Sequence, residues 1–231
     1  MAHRLRYVRS MTRSLALSCV LLAGCIATPV PEPPNLDLIS FEGGTGGIPI
    51  VAGPGTVAGE VGVWIVNVDG TSAPSITRSA ADGSFSAFID GMPGDELRLQ
   101  VRTEDARSNP VDVRPPATTA TVHPLDACLT VPLELDLGEA PTGTETRADL
   151  SVRNECSDPV RVALTDFRVD GGPFDVTFGA PLDIAPGAEA AVSFGVRPTA
   201  IGPVEAIARV SIDAPSAERR VVTLLARGRA P

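Results

Sequence analysis

Hydrophobic residues recur along this chain mostly at every second position, in short runs set off by turns. In "GDELRLQVRTED" Leu97, Leu99 and Val101 fall on one side and Arg98, Gln100 and Arg102 on the other, the period of a half-buried strand. In "VGVWIVNVDG" Val61, Val63, Ile65 and Asn67 oppose Gly62, Trp64, Val66 and Val68, and Asp69-Gly70 closes the run. "APSITRSAADGSFSAFIDG" reads as a hairpin: Asp82-Gly83 supplies a positive-φ turn, Ser84 and Ser86 alternate with Phe85 and Ala87, and Asp90-Gly91 ends it. Further on, Leu133, Leu135 and Leu137 make one strand face and Ala148, Leu150 and Val152 the next. The turn Pro141-Thr142-Gly143 between them predicts an antiparallel pair. With 22 glycines and 22 prolines as punctuation and only nine aromatic residues, the pattern predicts an all-β protein with cores of Val, Leu, Ile and Ala.

One segment breaks the alternation. Leu15 to Ala23 is apolar but for Ser18 and follows Arg4, Arg6, Arg9 and Arg13. Nine helical residues rise about 13 Å, less than half of a hydrocarbon core of ~30 Å, so the run is too short to span and predicts a secretory signal peptide over residues 1–24. Its end, Leu22-Ala23-Gly24-Cys25, resembles the lipobox of bacterial lipoproteins. That resemblance implies cleavage after Gly24, diacylation of the Cys25 sulfur and further acylation (palmitate) at the new N-terminus, a membrane anchor of more than one chain. Cys19 leaves with the signal. After Cys25 the tether, residues 25–34, runs into "IATPVPEPPN" at residues 26–35, where prolines deny helix and ladder bonds and favour an extended chain. Under the sorting rule of enteric bacteria, Ile26 after the lipid-bearing cysteine implies delivery to the outer membrane, on its periplasmic or surface face.

Charge narrows the partners. The formal net charge is −9, and four of the nineteen arginines lie in the first 24 residues, leaving fifteen cations against 28 acids, about −13. Such a chain repels nucleic acid and anionic head groups. It contains no lysine, which removes Schiff-base and P-loop chemistry, and its two histidines are His3, in the signal, and His123, in the proline-flanked stretch "RPPATTATVHP". That stretch, residues 114–124, divides the mature chain into parts of about 90 to 100 residues, each large enough for its own core.

In the first part, residues 35–113, Ala81-Asp82-Gly83-Ser84-Phe85 followed by Gly94-Asp95-Glu96-Leu97-Arg98-Leu99 is similar to bacterial Ig-like modules, exported spacers or binding units. The second, residues 125–229, carries Leu135-Asp136-Leu137-Gly138, Gly143, Val152, Asn154, Pro159, Phe174, Ile184-Ala185-Pro186-Gly187, Val192, Phe194, Arg197-Pro198-Thr199-Ala200, Gly202 and Val222-Thr223-Leu224 in order. Together these resemble the choice-of-anchor D domain, a relative of the ASH Ig-like sandwich. Leu137, Cys156 and Ala226-Arg227-Gly228 depart from that pattern at packing and turn positions. The resemblances imply two tandem Ig-like β-sandwiches after a cleaved signal peptide and Pro-rich tether, with no catalytic residues to carry over.

A hairpin centred on Thr142 sets Cys128 opposite Cys156, and export supplies an oxidising compartment, so a cross-strand disulfide is expected. A zinc site at this pair lacks further ligands, and a catalytic thiol lacks a histidine nearby. Asp69, Asp82, Asp90, Asp95, Glu96, Glu104 and Asp105 offer oxygens for calcium but fall in no repeat spacing, and turn and surface duty explains them better. Trp64 is either an exposed anchor for a sugar or peptide or, the better-supported reading, a core or inter-sheet residue. Ser193 in "VSFGV" is not a nucleophile elbow, and Glu134 and Asp136 lie on the polar face of a strand. The expectation is therefore a non-catalytic, lipid-anchored envelope protein without metal or cofactor, binding a protein partner or setting a spacing. The alternative is a carbohydrate- or calcium-dependent adhesion module.

Overall fold

The computed structural model describes residues 29–42, 46–104, 106–170, 172–177 and 182–231, so the expected signal segment and Cys25 lie outside it, as does Asp105. A 3-10 turn at Leu36–Leu38 leads into seven strands: β1 (Ile39–Phe41), β2 (Ile48–Ala52), β3 (Gly62–Asn67), β4 (Ser75–Arg78), β5 (Phe85–Ile89), β6 (Leu97–Arg102) and β7 (Val111–Val113). They form two sheets, β1-β2-β5 and β4-β3-β6-β7, around a core that includes Ile50, Val63, Ile65, Leu97, Leu99 and Val113.

Nine more strands follow: β8 (Leu129–Thr130), β9 (Glu134–Pro141), β10 (Thr146–Asn154), β11 (Val160–Asp170), β12 (Phe174–Thr177), β13 (Leu182–Ile184), β14 (Glu189–Val196), β15 (Gly202–Ala214) and β16 (Glu218–Arg229). Their sheets, β12-β14-β10-β8 and β13-β11-β15-β16-β9, enclose Leu150, Val152, Val162, Phe194, Val210, Ile212 and Leu224. Every pair is antiparallel except β16 with β9. The chain is all-β, two sandwiches in succession. Among the described residues no helix is long and apolar enough to cross a membrane.

Two expected hairpins are instead crossings between sheets. β4 pairs with β3 and β5 with β2, so "ITRSAADGSFSAF" steps from one sheet of the sandwich to the other. Asp82-Gly83 does make the expected turn, with Gly83 at φ +83° and the Asp82 carboxylate accepting from the Ser84 N–H and Oγ. The crossing is held to itself, with Ala80 donating to the Ser84 carbonyl and Gly83 to that of Ala80, and also to the rest of the sandwich: Gly55 donates to the Asp82 carbonyl, Val57 to that of Gly83 and Ser79 to that of Val61. Likewise β9 lies beside β16 and β10 between β14 and β8, so Pro141-Thr142-Gly143 also carries the chain from sheet to sheet. Alternation reports which face of a strand is buried; it does not report the neighbour, and both faces of a sandwich present the same alternation.

The Cys128–Cys156 disulfide forms all the same, by another route. Short β8 pairs with the end of β10, Leu129 opposite Asn154, and the Glu155 N–H donates to the Cys128 carbonyl, which brings the two cysteines to a Cα separation of 4.7 Å.

Candidate functional site at the seam between the sandwiches

Strands β3 and β6 are buried on both faces. Val63, Ile65, Leu97 and Leu99 point into the first core, and the alternate residues Trp64, Val66 and Val68 join Ile207 of β15 and Val221 of β16 in a third, separate apolar cluster. The β3-β6 part of the sheet's outer face is thus covered by the β15-β16 face of the second sandwich, while Ile76 of β4 stays exposed. Trp64 is 2 % exposed and takes the inter-sheet role rather than that of a surface anchor, with the Arg102 guanidinium 4.0 Å above its ring.

This overturns the half-buried reading of β6. Arg98 and Gln100, on its polar side, are 3 % and 2 % exposed. Arg98 donates to the Val221 carbonyl of β16, Gln100 Nε2 to Glu134 at 3.2 Å, and Arg102 Nη1 to Glu205 at 2.5 Å. Arg107 reaches the same Glu205 at 3.3 Å. The traffic also runs back: Arg209 of β15 donates to the Asn67 and Ser72 carbonyls and Arg219 to that of Asp69. Glu134, expected on a solvated face, therefore stands beside the seam; Asp136 caps its own turn by accepting from the Gly138 N–H.

At one end of the seam the charges concentrate. Arg98 grips both oxygens of Asp112 on β7 at 2.7 Å, and Arg114 holds Glu96 Oε2 at 2.8 Å. Across from them Arg220 of β16 pairs with Asp126 at 2.9 Å and Glu218 at 2.6 Å, and Glu218 also accepts from the Leu125 N–H. Into this group the stretch after β7 delivers His123. That stretch is no free linker: Ala120 bridges Val113, Thr121 donates to the Asp112 carbonyl, and His123 itself is 7 % exposed. Its Nε2 lies 2.8 Å from Glu96 Oε1 and 3.8 Å from Asp112 Oδ2.

The electrostatics follow from that placement. The Asp112 and Glu96 carboxylates raise the His123 imidazole to about 9, against burial and the repulsion of Arg220, which push it down. Burial works to raise Asp112, but Arg98 and His123 outweigh it and hold the carboxyl at about 2. With His123 protonated, three guanidiniums and one imidazolium face four carboxylates, and the group is neutral. An imidazole that keeps its proton through neutral pH is a structural cation, poorly matched to general-base work.

Sequence reasoning placed Cys128 and Cys156 together and missed the seam. Of the acids weighed for calcium, Glu96 is 2 % exposed and belongs to this buried group, whereas Asp69 and Asp95 fix backbone and side chains near β3 and β6. Glu96, Asp112 and His123 share no motif spacing, so they meet only through the fold. The signal that was available is the run Val63-Trp64-Ile65-Val66, apolar on both strand faces, which is what a strand covered from two sides requires.

No family model matches the chain, and no curated protein matches it. Solved structures similar to it include the ASH / PapD-like domain 7 of human CEP192, at 12 % identity over 52 % of this chain and 94 % of that one, with a TM-score of 0.38. A protein of unknown function from Porphyromonas gingivalis is 17 % identical over 82 % of this chain and 96 % of its own, with a TM-score of 0.36. The VesB protease of Vibrio cholerae is 15 % identical over 60 % of this chain and 46 % of its own, with a TM-score of 0.35.

Proposed function

We propose that this chain is a non-catalytic, lipid-anchored protein of the bacterial envelope, in which two Ig-like sandwiches act as one stiff unit that presents a protein-binding surface or sets a distance from the membrane. The observation that carries the reading is the seam. A tryptophan-centred apolar cluster and arginines donating across it in both directions make hinge motion between the halves costly, which suits display and spacing. The sequence of residues 1–34 supports the anchor at Cys25, with delivery to the outer membrane as the expected address. The protonated, ion-paired state of His123 supports the non-catalytic part.

The test is fractionation joined to crosslinking in intact cells. Wild-type protein partitions into the detergent phase and its crosslinked partner is a protein; Cys25→Ser protein stays in the aqueous phase and loses that crosslink. Aqueous partitioning of the wild type contradicts the anchor. A calcium titration and a glycan array on the same material stay flat, and binding in either favours adhesion instead.

A further inference from the structure

In the His123 corner the closest ion pair is made without a hydrogen bond. His123 Nε2 and Glu96 Oε1 are fully buried and make no hydrogen bond, although they stand only 2.8 Å apart: the imidazole N–H is not aimed at the oxygen. Buried polar atoms that lack a hydrogen bond are costly even where their charges are paired. The third atom at this point is Asp112 Oδ2, and the three donor atoms lie within 4.8 Å of one another.

We propose that Glu96, Asp112 and His123 form a binding site for a divalent first-row transition ion, zinc being the best match, which ties the stretch after β7 to the end of β6. One imidazole nitrogen and two carboxylate oxygens are a donor set that zinc accepts and that calcium, which wants six or more oxygens, does not. Bonds of about 2.0 Å in a tetrahedron put donors about 3.3 Å apart. The two separations from Nε2, 2.8 and 3.8 Å, bracket that value, and the third pair, Glu96 with Asp112, lies within 4.8 Å, so loading draws the two carboxylates together around the ion. The carboxylates are already oriented: Arg114 holds Glu96 Oε2, and Arg98 donates to both Asp112 oxygens, the ligand atom Oδ2 included, hydrogen bonds of the kind that fix ligating carboxylates. Cavities of about 280 and 580 Å³ both include His123 in their walls and give an ion and its fourth ligand, a water, a way in. Loading exchanges the His123 proton for the ion and releases that proton to solvent; the extra unit of charge falls among four carboxylates, with Asp126 and Glu218 across the seam.

The experiment uses the full mature chain. Metal analysis after purification without chelator, then titration of the chelator-stripped protein with zinc alone, returns one equivalent bound and a melting temperature several degrees higher in zinc than in chelator. Calcium and magnesium produce neither. His123→Gln weakens zinc binding by on the order of 100-fold, and Arg114→Gln, which touches no ion, by roughly 10-fold. Should His123→Gln fail to fold, the wild-type difference between zinc and chelator still decides the question. No retained metal and identical melting in both media overturns the site, and leaves His123 a proton-only ion pair.

Discussion

Arginine supplies every side-chain cation of this protein outside its histidines, and the seam shows why lysine would not serve. Arg98, Arg102, Arg209 and Arg219 each donate to carbonyls or carboxylates that belong to the other sandwich, and Arg98 grips Asp112 with two nitrogens while sending a third to Val221. A planar, weakly hydrated fork can be buried in this way; a compact ammonium cannot. Trp64 is the apolar counterpart. Trp64→Ala should cost about 3–5 kcal/mol of unfolding free energy, read from denaturant midpoints, because it empties the third cluster and strips Arg102 of its ring. His123 gives the seam a pH signature. Its pKa rises from an ordinary 6.5 to about 9 in the folded chain, so in metal-free protein its stabilisation is complete below pH 6.5 and disappears as pH climbs through 9. Asp112, depressed to about 2, stabilises above its ordinary 3.8 and loses that effect as pH falls through 2. Melting temperatures of wild type and His123→Gln in chelator should therefore differ most near pH 5 and converge above pH 9. A constant gap across that range would remove His123 from the account of stability.

At the level of strands, the alternation located β3, β4, β5, β6, β9 and β10 and chose the wrong neighbours for four of them. β4 and β5, and again β9 and β10, are adjacent in sequence and joined by turn-forming residues, yet each pair is split between the two sheets of its sandwich. Turn chemistry at Asp82-Gly83 and Pro141-Thr142-Gly143 is the same whether the chain reverses within a sheet or crosses to the facing one, so local sequence carries no preference between them. β6 shows the other limit. Arg98, Gln100 and Arg102 read as a solvent-facing side because polarity ordinarily means water, and here it means the arginine-bearing face of a buried seam. The disulfide was legible because it depends on two cysteines, an export signal and approximate proximity, and it survives a change of strand partner. With a sequence separation of 28, its loss in the Cys128→Ser/Cys156→Ser pair should lower stability by on the order of 3 kcal/mol in the chain-entropy view. The measurement is a denaturation midpoint for the double variant against the oxidised wild type. Equal midpoints would mean that the β8–β10 pairing holds without the bridge.

For the molecule as a whole, two sandwiches with separate cores share one buried contact surface, which under the proposed function makes the pair a single mechanical object. Sequence composition suggested two parts and an intervening stretch; it did not suggest that the stretch would end in a buried ion-paired histidine, because Glu96, Asp112 and His123 are brought together only by folding. A stiff pair set behind an expected lipid at Cys25 is suited to holding a surface at a fixed place in the envelope, and the stiffness is what the account depends on. Spin labels placed at Ile76→Cys on β4 and Ile201→Cys just before β15, both exposed and on opposite sandwiches, report it through their distance distribution. One narrow distribution, unchanged in frozen samples with and without added crowder, is the predicted result; a broad or two-peaked distribution would show halves that move independently and would contradict the rigid-unit reading.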